Sequence, residues 1–189
     1  MVKALTHDDL AMIEAAITDA ERDSPVQIRV KVVKASDRYQ DFILLYGFAV
    51  GSALSLALWM DGVLDAFPWL VCVQFGVAIL FDLTRFLRGL CIRLVPKPVR
   101  HRRAARKAFQ FYNEQAAFMA PSQPLVFLFV SLAEHSVRII TSPALHAQIP
   151  DNWNNVTDHF IAYRQTHGIR GACVSTVEHI GTVVKAFRA

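Results

Sequence analysis

Charge is scarce in this sequence. Asp, Glu, Lys and Arg make up 19% of its 189 residues against 53% hydrophobic, and the mean hydropathy is +0.30. An ordinary soluble domain carries about 25% charged residues, so part of the apolar surplus has to face something other than water. Cysteine is scarce too: Cys72, Cys91 and Cys173 are odd in number, widely spaced and without a C-x-x-C pair. That excludes a disulfide framework, gives no zinc or redox-dithiol motif and suits a reducing compartment. Cys72, inside an apolar run, reads as a small buried hydrophobe. The eight glycines are dispersed and no lysine follows a G-x-x-x-x-G, which excludes a P-loop NTPase. Seven histidines, His7, His101, His135, His146, His159, His167 and His179, form neither H-x-x-x-H nor H-E-x-x-H. Asp158 beside His159 and Glu178 beside His179 point about 100° apart on a helix and cannot share one ligand. No secretory leader is legible, because the N-terminus runs straight into the charged segment Thr6 to Arg22, so export of that end is not expected.

What is abundant is uninterrupted apolar sequence. Phe42 to Met60 contains no charged residue, and a helix needs about 20 apolar residues to cross a bilayer. A second run, Phe67 to Phe81, is shorter. It is expected to extend toward Leu87 by pairing Asp82 with Arg85 and by letting Arg85 and Arg88 reach headgroups. Only Asp61 to Ala66 separates the runs, so the two helices have to be antiparallel, at about 42–60 and 67–84. Tyr46, Trp59 and Trp69 sit near the ends, as interfacial aromatics do. A hairpin buried in a soluble core is disfavoured because the first run lacks the polar stripe of a surface helix.

Lysine and arginine set the orientation. Arg29, Lys31, Lys34 and Arg38 precede the first run; Arg85, Arg88, Arg93, Lys97, Arg100, Arg102, Arg103, Arg106 and Lys107 follow the second; the turn holds Asp61 and Asp65 and no base. The positive-inside rule places both termini in the cytoplasm and the acidic turn across the membrane. The net charge of +4 is therefore assigned to membrane lipid through Arg85 to Lys107, not to nucleic acid.

Outside the hairpin, helix and strand alternate. Thr6 with Asp9 resembles a capping box, and Leu10, Ile13, Ile17 and Ala20 share one face of a first helix. Gln27 to Val33 alternates as a half-buried strand. A basic helix beginning near Pro98 is expected to turn Ala105, Ala108, Phe109 and Tyr112 inward. Leu125 to Val130 reads as a central strand covered on both faces, and Ser136 to Thr141 as its antiparallel neighbour. After a loop from Ser142 to Pro150, Asp151 caps a helix carrying Trp153, Val156 and Phe160 that Gly168 ends. A last helix aligns Ile169, Cys173, Val177, Ile180, Val184 and Phe187. The N-terminal strand has too little core to stand alone, so it joins the C-terminal sheet. The chain thus reads as one split domain, 1–41 with 85–189, interrupted by the hairpin at 42–84.

This order of parts resembles a family. Thr6, Asp9, Ile13, Ala16, Ile17, Ala20 and Glu21, then Ser36, Asp37 and Tyr39, then Val130 to Glu134 with Val137, Ile139 and Ile140, and finally Ile149, Pro150 and Trp153 look like the TPM domain family. More narrowly the chain is similar to its bacterial integral-membrane branch, in which a transmembrane hairpin splits the domain. The resemblance implies an α/β (α+β) sandwich, a small mixed sheet with helices. It also implies either an acid phosphatase, in some members with calcium bound through acidic loops, or an accessory factor of membrane complexes. This chain carries Gln27 where many relatives have an acidic residue at the start of the first strand.

Two sets of residues are candidate sites. Ser36, Asp37, Tyr39 and Asp41 leave the first strand just before the apolar run, and Glu134, Ser136, Asp151 and Asp158 fall at sheet edges or helix starts. Such oxygens suit a hard cation such as calcium, though ordinary caps and turns use the same residues and are the expected reading. Gly47, Gly51 and Ser55 recur every four residues on the first apolar helix, a small-xxx-small face that lets helix backbones approach closely. Its occupant is either the second helix, with Gly76 opposite, or a helix of another protein, which the large lipid-facing surface favours. The expected function is a membrane-anchored accessory, scaffold or assembly protein in the bacterial inner membrane, bound to an integral membrane complex and without catalysis or cofactor. The alternative is a TPM-type acid phosphatase facing the cytoplasm, with calcium as its possible metal.

Overall fold

The computed structural model describes residues 6–22, 24–63, 67–120, 123–149 and 152–186. In chain order its elements are α1 (His7–Glu21), β1 (Gln27–Val33), α2 (Gln40–Met60), α3 (Phe67–Leu83), α4 (Arg85–Leu94), α5 (Lys97–Ala116), β2 (Leu125–Ser131), β3 (Ser136–Thr141), α6 (Pro143–Gln148) and α7 (Asn152–Ala186). The class is mixed α+β, mostly helical, with a small three-stranded sheet. The chain divides into two compact units, one of residues 1–36 with 101–189 and one of residues 37–100.

The first unit is built on the sheet, ordered β1-β2-β3. β1 pairs parallel with β2, Ile28 opposite Val126, and β2 pairs antiparallel with β3, Phe129 opposite Arg138. The N-terminal strand therefore does complete the C-terminal sheet. Every β2 residue is buried, and alternation sends the side chains both ways. Val126, Leu128 and Val130 pack with α1 and α7 residues such as Ile13, Phe160, Cys173 and Val177, while Phe127 and Phe129 pack under Ala108 of α5. An apolar run with no polar alternation has this explanation: both faces are dry.

Local chemistry sets the helix ends. Thr6 and Asp9 form the reciprocal capping box: the Asp9 amide donates to Thr6 Oγ1 at 3.3 Å and the Thr6 amide to Asp9 Oδ2 at 2.9 Å. Gly168 takes φ 72°, ψ −172° inside α7 and divides it into two helical pieces; only glycine adopts that backbone without strain. Close to the far end, a Cβ placed on Gly181 would lie 3.1 Å from the Ala20 Cβ, so α1 and α7 meet at small residues.

Several expectations are corrected here. α5 turns Ala108, Phe111 and Tyr112 toward the sheet, buries Ala104 as well and leaves Phe109 exposed. The small Ala108 allows the close approach, and the face lies a partial turn from the expected one. The loop expected after Ser142 holds the short helix α6, with Pro143 in its first turn; six residues are too few to display a period. Asp151, Pro150 and Phe187 lie outside the described residues, as do Leu64, Asp65 and Ala66 of the turn.

The second unit holds α2, α3 and α4. Tyr39, buried and at φ 53°, ψ 31°, begins α2, and its carbonyl accepts the Ile43 amide at 3.0 Å. α3 stops at Leu83 and does not run on toward Leu87: Thr84 is extended, φ −86°, ψ 111°, and α4 starts afresh. Thr84 Oγ1 donates to the Leu80 carbonyl at 2.7 Å, a local bond that competes with the helix ladder. Tyr46 Oη donates to the Leu94 carbonyl at 3.3 Å, tying the end of α4 to α2. The side chains of Arg85 and Arg88, on which the expected Asp82–Arg85 pairing depends, lie outside the described residues.

Candidate functional site

The α2–α3 pair is turned inside out relative to a helical hairpin in water. The buried face of α2 is Ile43, Gly47, Gly51 and Ser55. Large groups point away from the pair: Leu45 is 59% exposed, Trp59 56%, Phe75 57% and Ile79 56%. Burying one Leu or Phe is worth about 1.5–3 kcal/mol in water, so a water-soluble hairpin would place these residues inside. Of the most apolar 18-residue window of α2 only 22% is buried. With 21 residues α2 is long and apolar enough to cross a membrane, and α3, with 17, is shorter. At roughly 1.5 Å per residue these are about 31 and 25 Å, against about 30 Å of bilayer hydrocarbon.

The small-residue face is occupied by α3. A Cβ on Gly47 would lie 2.8 Å from the Ala78 Cα, and one on Gly51 would lie 2.9 Å from both the Cα and the carbonyl oxygen of Gln74. Ser55 Oγ donates to the Leu70 carbonyl at 3.1 Å. The seam on α3 is thus Leu70, Gln74 and Ala78, again at four-residue spacing. This replaces the expectation that another protein's helix fills the groove: helix backbones at this distance leave no room for a second occupant. Gly76 sits off the seam with nothing within 4 Å of its Cβ position. Cys72 is exposed instead of buried, because two residues from either Leu70 or Gln74 is the outer side of the helix. Sequence reasoning missed Gln74 and Ala78; the one amide in an otherwise apolar run was the available signal, since intramembrane polar groups turn toward protein.

The described acidic candidates make local hydrogen bonds or lie exposed, and Asp151 lies outside the described residues. Glu134 is 4% exposed. Its two carboxylate oxygens accept the Ser36 amide at 3.0 and 3.2 Å, and Ser131 Oγ donates to Oε2. The carboxylate therefore clamps the chain beyond β1 to the β2–β3 turn, where the next residue, His135, takes φ 50°. Arg164 donates from Nη2 to His135 Nδ1 at 3.0 Å. Asp37 Oδ1 accepts the Arg38 amide at 2.6 Å, and Asp158 is exposed on α7. Among the described residues no three His, Cys, Asp or Glu side chains gather to hold a metal ion.

The Gly168 kink brings together a group the sequence leaves scattered. His179 stacks on His159 with centroids 4.9 Å apart, His159 on Tyr163 at 5.5 Å and Tyr163 on His167 at 4.3 Å. His159 Nε2 lies 2.9 Å from Ser175 Oγ. Burial, and then the neighbouring His159, hold the His179 imidazole below its usual pKa. The four-residue spacing of His159, Tyr163 and His167 was legible; the return of His179 depended on the kink. Cys173, deep in the same unit, has its thiol pushed up to about 12 by burial, which makes it inert as a nucleophile.

Part of the basic set on α5 faces outward, while Arg100, Arg103 and Lys107 are half-buried. Arg102 and Arg106 are exposed, one turn apart, with Phe109 continuing the stripe. Lys107 Nζ lies 4.9 Å and Lys31 Nζ 5.3 Å from the Phe111 ring centroid, inside cation–π range.

No protein family model matches the sequence, and no curated protein matches it. One solved structure is similar in fold: the NMR structure of the BA42 protein from the psychrophilic bacterium Bizionia argentinensis, with TM-score 0.57 and 13% identity, over 98% of this chain and 84% of that one. At that identity the likeness concerns the fold alone.

Proposed function

We propose that this protein is a membrane-anchored accessory or scaffold subunit of the TPM type, whose α2–α3 hairpin crosses the bacterial inner membrane with both termini cytoplasmic. Its partners are other integral membrane proteins. One observation carries the reading: the hairpin packs on Gly47, Gly51 and Ser55 and presents its Leu, Phe, Ile and Trp side chains outward. Backbone-close packing through small residues is how helices associate in lipid, where large apolar groups gain nothing by hiding. A contiguous exposed apolar surface of this kind marks a membrane or protein interface in any setting.

The test is to place a photo-crosslinking residue at Leu45 on the outer face of α2, irradiate intact cells, and purify the full chain in mild detergent. The expected result is an adduct with an integral membrane protein, absent without irradiation. Adducts to lipid alone, with the purified protein running as a single chain, would contradict the accessory role.

A further inference from the structure

The outward stripe of α5 is basic and unbalanced. From Thr84 to Asn113 the sequence contains no Asp or Glu, while Arg85, Arg88, Arg93, Lys97, Arg100, Arg102, Arg103, Arg106 and Lys107 fall within it. Among the described residues, no carboxylate pairs with Arg102 or Arg106. Like charges four residues apart on a helix repel, so α5 is weakened by its own sequence unless an external anion sits over the pair. The same stripe continues into Phe109, 57% exposed, an apolar ring beside two guanidinium groups. Arginines are drawn to anionic headgroups, and an aromatic ring suits the membrane–water boundary beside them.

We propose that Arg102, Arg106 and Phe109 form a docking surface for anionic phospholipid headgroups. The guanidinium groups take the phosphates by charge-assisted, two-pronged hydrogen bonds, and the Phe109 ring enters the headgroup boundary. The inference rests on the reading of α2–α3 as a membrane hairpin, which supplies the surface. A nucleic acid would also meet the charges, but it offers no place for an exposed phenylalanine whose helix follows an apolar hairpin in the chain.

The experiment uses the full chain purified in a neutral detergent, with thermal unfolding followed as phosphatidylglycerol or phosphatidylcholine is added. Phosphatidylglycerol is expected to raise the melting temperature and phosphatidylcholine to do so far less, with the difference abolished by 0.5 M salt, which shortens screening to roughly 4 Å. Losing two basic residues at an anionic surface corresponds to about thirtyfold weaker binding, so R102Q/R106Q should need about that much more phosphatidylglycerol for half its effect. R102K/R106K, which keeps the charge, should need only modestly more. Circular dichroism on both variants separates lost binding from lost fold. Equal effects of the two lipids, an unchanged midpoint in R102Q/R106Q, or the same stabilisation by duplex DNA at equal phosphate would each overturn the proposal. Alkaline carbonate extraction of native membranes is run alongside: a protein released by carbonate that still prefers phosphatidylglycerol contradicts the hairpin anchor while upholding the headgroup site.

Discussion

Gly51 on α2 and Gln74 on α3 are in backbone contact: a Cβ at position 51 would lie 2.9 Å from the Gln74 Cα and from its carbonyl oxygen. No residue larger than glycine fits without moving α3. Overpacking a closed seam costs about 1–3 kcal/mol. G51L is expected to lower the melting temperature of the detergent-purified protein by several degrees, as fluorimetric unfolding would register. G76L, at a position open to its surroundings, is expected to leave it unchanged. Equal effects of the two substitutions would show that α3 is not the occupant of the groove.

Glu134 provides a second stability test. E134A removes the acceptor of the buried Ser36 amide and of Ser131 Oγ, and leaving such groups unsatisfied costs about 1–3 kcal/mol each. Urea denaturation should show a loss of that order. The same titration in millimolar calcium and in chelator should superimpose for the parent protein, since the Glu134 oxygens are already engaged. A calcium-dependent shift lost in E134A would instead revive a cation site.

The stacked imidazoles predict a pH dependence. The His179 pKa is depressed in the folded chain, against about 6.5 when unfolded. Below pH 6.5 the unfolded chain therefore binds more protons than the folded one, and stability falls as pH drops through 6.5 toward the lowered folded value. Above pH 6.5 this group contributes no slope. Melting temperatures between pH 8 and 5 should follow that course, and H179Q should flatten the acidic limb. An identical limb in the variant would place its origin elsewhere.

Hydrolysis of aryl phosphates by the purified protein is expected to stay at the buffer rate. Turnover within the ordinary range of roughly 1 to 10³ per second, abolished by D37N or by D151N, would replace the accessory reading with a phosphatase.

Much of the fold was legible because its signals are local. The Thr6–Asp9 box, the alternation of Gln27 to Val33, the dry run Leu125 to Val130 and the glycine at 168 each encode their structure within a few residues. What was not legible depended on rotation and distance. The inward face of α5 differs from expectation by a partial turn because Ala104 and Ala105 are equally small and only packing in the folded chain chooses between them. Gly76 was misplaced because sequence shows which residues are small but not how two helices register. Glu134 was visible as an acid and invisible as a clamp, since Ser36 lies 98 positions away.

Membrane crossing by α2 and α3 is the claim on which the rest stands, and impermeant maleimide labelling tests it directly. In a C72S background, single cysteines are placed at Asp61 in the turn and at Ala35 before α2, both exposed. The account predicts that intact spheroplasts label position 61 and leave position 35 unlabelled until they are permeabilised. Labelling of both positions, or of neither, before permeabilisation would contradict it.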